Sequence, residues 1–278
     1  MTTAHVYPSA VRNRSRSRKV VDTLGAYIRL DLVEERMFPA TSIMRYIAVV
    51  FPVLLYFYQS SFLGAGPEVF AVMLIGTAVT AGLQDALTQL TARLNFAMER
   101  GTLETYLVEP VPWVLIPIAM NLWRSFTGGL LACFMIFVGW LLGMPIDPAG
   151  IPLGLVVLFL GILACNALGT LAASFLVLFK RGDPVVMLFH LAASVLGGAL
   201  FPVSTLPDWI RWASYLIPHT YVISAERQLL MPTPPAGELS VGLSIVALTV
   251  MCVVMLTGGL FIFDRSLRLA RKLGILSI

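Results

Sequence analysis

Six apolar stretches, each near the roughly 20 residues a helix needs to cross the hydrocarbon core of a bilayer, leave few folds open to this chain. They run from Met44 to Leu63, Val69 to Leu90, Val111 to Gly143, Ile151 to Phe179, Val185 to Pro202 and Val241 to Phe263. Backbone in lipid has no water to bond to, so repeated spans of this length predict helices. The composition agrees: 58% of residues are hydrophobic and 12% charged, about half the charge of an ordinary soluble domain. The expected fold is an all-α integral membrane protein with six transmembrane helices. The third stretch exceeds one span, which puts Asn121 and Arg124 at its cytoplasmic boundary, where Arg124 snorkels.

The formal charge of +4 sits beside the apolar runs, where basic residues read as topology signals and headgroup contacts. No nucleic-acid partner is implied. Lys and Arg concentrate in the segment up to Arg45, around Arg93 and Arg100, at Lys180 and Arg181, and from Arg265 to Lys272. The loops at Gly64–Pro67 and Pro145–Pro148 carry none. Cytoplasmic loops hold the basic excess, so both termini are expected in the cytoplasm, with the chain multi-pass in the plasma (inner) membrane. Residues 1–19, with Arg12, Arg14, Arg16, Arg18 and Lys19 and no signal-peptide core, read as a disordered basic tail, and 20–278 as one transmembrane domain. From Val20 to Phe38 apolar residues recur at helical spacing opposite Asp22, Arg29, Asp31 and Glu35. That predicts an N-terminal interfacial helix ended by Pro39, lying either on headgroups or on protein.

Between the second and third stretches, Met98 to Pro110 is a polar island that must sit in water. Gly101 breaks the preceding helix, Thr102 caps a short new one with Glu104 in its first turn, and Pro110 ends it. Leu103, Tyr106 and Leu107 then share one face, with Glu99, Arg100 and Glu109 at the ends. Such a cytoplasmic helix is a docking element, although a solvated connecting loop fits the same residues. From Ser204 to Pro235 two short apolar helices flank Pro218, each too short to cross. Counting them as one crossing would put the basic C-terminus outside, so they read as an outer re-entrant hairpin. Trp209, Trp212, Tyr215 and Pro218 are its candidate outer gate.

Chemical motifs are few. There is no phosphate-binding G-x-x-x-x-G-K-[ST], no H-E-x-x-H and no paired-carboxylate cluster, so neither catalytic residues nor a metal site are predicted. Cys133, Cys165 and Cys252 lie in apolar runs and read as packing residues. Gly161, Cys165, Gly169 and Ala173 form a small-residue stripe for close helix packing, repeated by Gly139 and Gly143. Asp85, among Gln84, Thr88, Gln89 and Asn95, is an intramembrane acid: either a functional group or a helix-helix hydrogen bond.

Two segments carry a family resemblance. Glu99-Arg100-Gly101-Thr102-Leu103-Glu104, closing at Pro110, resembles the Glu-x-Gly-Thr-Leu-Glu signature in the cytoplasmic loop of type-2 ABC exporter permeases. Phe201-Pro202-Val203-Ser204 through Trp209, then Tyr215-Leu216-Ile217-Pro218-His219-Thr220-Tyr221, is similar to their outer hairpin before the last span. The resemblance implies a permease subunit, not itself an enzyme, with a coupling helix carrying Glu99, Gly101, Thr102, Leu103, Glu104, Tyr106 and Leu107. It further implies a separate cytosolic ABC ATPase that binds the ATP and Mg, a second permease copy or paralogue completing a dimer, and no cofactor on this chain. Two cargoes stay open: a drug-like or lipid-like amphiphile, and a lipid-linked polysaccharide or similar glycan.

Overall fold

The computed structural model describes residues 16–101, 115–179 and 183–272, and no strand occurs among them. In chain order the helices are α1 (Arg16–Met37), α2 (Pro39–Phe62), α3 (Gly66–Glu99), α4 (Leu115–Leu141), α5 (Ile151–Phe179), α6 (Asp183–Leu196), α7 (Asp208–Ser214), α8 (Pro218–Leu230) and α9 (Val241–Lys272). The helix expected from Val20 thus already runs at Arg16, inside the segment expected to be a tail. Pro39 does separate it from the first span, by opening α2 at a position where a missing N–H costs nothing.

Helix α3 is the axis. The chain buries 61% of its most apolar window, against 6% for α2 and 11% for α9, which turn their apolar faces outward. Its 34 residues measure about 51 Å at 1.5 Å per residue, well beyond the hydrocarbon thickness of about 30 Å. One core cluster surrounds its first two-thirds, from Phe70 to Leu87, and includes Val157, Cys165 and Val222. A second gathers Leu90, Leu94 and Ala97 with Tyr27 of α1, Met120 of α4 and Phe263 of α9. The two ends of α3 therefore define an α1 end and a hairpin end of the bundle.

Small residues set the closest approaches. A Cβ on Gly82 would stand 2.9 Å from the Gly128 carbonyl oxygen, and one on Gly169 would stand 2.6 Å from that of Leu87, so α3 meets α4 and α5 backbone to backbone. The stripe on α5 is a packing face: Cys165 and Ala173 are fully buried. Gly143 departs from its expected role. It follows the end of α4 with φ +92°, a turn residue rather than part of a helix face.

Five helices of the described residues, not six, are long and apolar enough to cross a bilayer. The stretch expected to span from Val185 to Pro202 forms α6, whose 14 residues reach about 21 Å. It stops at Gly197 and Gly198, where φ is +81° at Gly198 and the neighbouring side of the chain is filled by Val203. The hairpin follows. Pro218 starts α8 after Ile217 in an extended conformation, and the far end of α8 docks on the loop before α5, where the Asp147 N–H donates to the Leu230 carbonyl at 2.8 Å.

Candidate functional site: buried charge at both ends of the bundle

At the α1 end, three elements meet through charged groups. Asp85 of α3, read from sequence as an acid without a charged neighbour, is ion-paired with Arg45 of α2. Arg45 also donates to Thr127 Oγ1 of α4 at 3.4 Å. About two turns beyond, Arg93 of α3 pairs with Asp31 of α1, whose side chain is 1% exposed. Burial pushes the Asp31 carboxyl up from its ordinary value, while Arg93 beside it pulls it down. The interfacial helix is therefore packed on protein along its Asp31 face.

Asn121 of α4 is buried against its neighbouring helices. Its amide donates to the Ala86 carbonyl at 2.9 Å and to Asn166 of α5, and Asn166 donates to Ser125 Oγ at 2.9 Å. This network ties three helices together through hydrogen bonds that lipid could not supply. Arg124 is half-buried in a cavity of about 400 Å³ shared with Glu34, Glu35, Arg45 and Trp123, and its Nε has no partner among the described residues.

The α3 axis ends at Glu99, and Gly101 with φ +66° turns the chain out of the helix, as its sequence position predicts. The Arg100 guanidinium lies 3.9 Å from the centre of the Phe96 ring. Thr102, Leu103, Glu104, Tyr106 and Leu107 fall outside the described residues.

At the hairpin end the candidate gate residues divide. Trp209 and Trp212 are 76% and 63% exposed, and Tyr215 is 40% exposed, so all three face outward from this chain. The Trp212 indole N–H donates to the Trp209 carbonyl at 2.8 Å, and the Tyr221 hydroxyl donates to that of Tyr215 at 2.8 Å. Pro218 is buried at the bend.

Sequence reasoning missed the charged centre of this end. Arg227 of α8 is 1% exposed and gathers three elements: Nη2 donates to the Val72 carbonyl of α3 at 2.8 Å and to that of Ala199 after α6 at 3.0 Å, while Nη1 pairs with Glu238 at 3.2 Å. Gly76 leaves room for it, since a Cβ there would stand 2.7 Å from Nη2 and 1.9 Å from the Ala199 oxygen. Its neighbour Glu226 is buried on another side of α8, against α5. The available signal was Glu226-Arg227 standing in a helix flanked by apolar residues, a pairing that reads as a solvated face until its depth is known.

Membrane-length helices held by buried ion pairs and closed by a helical hairpin define a polytopic α-helical membrane protein. Residues 35–231, well over half of the chain, match the family model described as ABC-2 type transporter. The chain belongs to that family and is an ABC transporter permease, as the two signature segments imply. A comparison with curated proteins found no match. Members of the family usually work with a separate ATPase.

Proposed function

We propose that the chain is the membrane subunit of an ATP-driven exporter. A separate cytosolic ABC ATPase docks on the segment that begins at Glu99, and ATP and Mg bind there, leaving this chain without a cofactor. The observation that carries the reading is the length of α3, whose 34 residues exceed the hydrocarbon thickness and end at Glu99, the first residue of the signature. A second copy or a paralogue covers part of the outward apolar face of α2, and the stretch from Val185 to Pro202 is the sixth crossing, ahead of an outer re-entrant hairpin. Both termini lie in the cytoplasm of the plasma-membrane assembly.

The cargo is amphiphilic. Supporting this, a cavity of about 510 Å³ between α4, α5 and α9 is lined by apolar side chains with Asn121, Ser125, Asn166 and Thr170 as its polar members. A lipid-linked glycan is the second reading, favoured by the unpartnered Arg124 Nε at the α1 end, which suits a phosphate.

The test uses membrane vesicles holding the permease with its ATPase. Leu103→Asp and Tyr106→Asp detach the ATPase or leave it hydrolysing without export, because an anchor of a small interface carries about 2 kcal/mol or more of the binding. Normal export by a folded Tyr106→Asp variant would refute docking at this segment.

A further inference from the structure

Glu226 is the buried acid that no described contact explains. Its side chain is 3% exposed, and Oε1 has no hydrogen-bond partner among the described residues. Arg227 next to it is already engaged by Val72, Ala199 and Glu238 and points elsewhere. The carboxylate borders a cavity of about 410 Å³ whose other lining includes Val79, Leu155, Leu158, Phe137 and Trp140, with no Lys or Arg. Gly154 makes the space it occupies, because a Cβ at that position would stand 2.8 Å from Oε2. Phe137 and Trp140 are about half exposed and their ring centres are 6.0 Å apart, forming an aromatic wall at the side of the cavity that faces away from the core.

An acid with a free oxygen at the wall of an otherwise apolar cavity lacks what a buried carboxylate needs, a hydrogen-bonding cation. We propose that this cavity binds an amphiphile carrying an ammonium group, with the apolar body against Leu155, Leu158 and Trp140 and the ammonium on the Glu226 carboxylate. The inference concerns binding and stands whether or not the exporter reading holds. Two sources share this chemistry, a transported single-chain amine and the amine headgroup of a bilayer lipid.

The reporter is Trp140, read as the fluorescence quenching that wild type shows and Trp140→Phe does not, with the full chain in phosphatidylglycerol nanodiscs. The probes are 12-bromododecylamine and 12-bromododecanol. The ratio of their half-quenching concentrations should favour the amine more strongly in wild type than in Glu226→Gln, by roughly tenfold, the weight of a charge-assisted hydrogen bond. Equal ratios in the two proteins overturn the proposal. Nanodiscs containing phosphatidylethanolamine with brominated chains separate the sources: Glu226-dependent quenching by that lipid identifies a headgroup, and quenching confined to the single-chain amine identifies a cargo-like molecule. Should Glu226→Gln fail to insert, Gly154→Ala takes its place, since the added methyl displaces Oε2. Unchanged amine preference in that variant also overturns the proposal.

Discussion

The two ends of α3 solve the same problem, charge inside a membrane protein, in different ways. At the hairpin end, Arg227 and Glu238 are 1% and 4% exposed, and the guanidinium also holds two backbone carbonyls. At the α1 end, Arg45 and Asp85 are each 23% exposed and bind through side chains. The first arrangement is a clamp: moving any of its three elements strands a desolvated charge. The second pair is partly exposed and rests on side chains alone, so breaking it strands less desolvated charge. On the proposed reading, the Arg45–Asp85 pair stands at the end of α3 nearer the ATPase and the Arg227 clamp at the other.

The largest effect expected is from breaking the clamp. Arg227→Met leaves Glu238 buried without a counter-charge and should lower stability by about 3–5 kcal/mol, seen as loss of monodisperse protein on heating in detergent. Arg227→Met combined with Glu238→Gln should recover much of that loss. If the double variant is as unstable as the single one, the carbonyl contacts to Val72 and Ala199 carry the clamp, and the contrast with the other end is one of backbone anchoring rather than of charge. Gly76→Ala attacks the same point by bulk and should cost about 1–3 kcal/mol, since its Cβ would meet the Ala199 oxygen at 1.9 Å.

A smaller effect is expected at the α1 end. Asp85→Asn and Arg45→Gln should each cost about 1–2 kcal/mol, between the values for exposed and fully buried pairs. A double-mutant cycle between them should return a coupling within that range. A coupling as large as that between Arg227 and Glu238 would remove the distinction between the two pairs.

What the residue pattern revealed followed from depth and length. Long apolar runs announce crossings because the bilayer sets their length, and Gly101 and Pro218 mark helix ends because their backbones dictate them. The shortness of α6 escaped because Gly197-Gly198 reads as a loosened helix until His219 and Val203 are seen packed against it. Charge partners escaped for another reason. Arg45 and Asp85, or Arg227 and Val72, lie far apart in sequence, and a pattern of spacing along one helix carries no information on what another helix brings. Asp85 was therefore visible as an acid in an apolar run, while its partner was not, and Glu226 and Arg227 were not singled out within a segment read as a short apolar helix. The candidate coupling residues from Thr102 to Leu107 fall outside the described residues, and their role rests on the resemblance and on helical spacing alone.

The smallest effect on stability should come from the hairpin surface, and it sharpens the comparison within one end. Trp212 is 63% exposed, and its indole N–H serves the Trp209 carbonyl within the same short helix. Removing such a side chain strands no buried charge, and surface substitutions of this kind usually change stability by less than about 0.5 kcal/mol. Trp212→Ala should therefore leave thermal unfolding in detergent unchanged within that margin, against the several kcal/mol expected for Arg227→Met some fifteen residues on. Export is a separate readout. If Trp212 closes the pathway at this end, Trp212→Asp should impair export in vesicles while the ATPase stays bound, because a carboxylate on an apolar contact face is costly to dehydrate. A loss of stability in Trp212→Ala as large as that in Arg227→Met would instead mean that the exposed ring is buried against a second copy, making the hairpin an interface in the assembly. Unchanged stability together with unchanged export in Trp212→Asp would leave the hairpin's function with Arg227 and Glu226 in its interior and remove Trp212 from the gate.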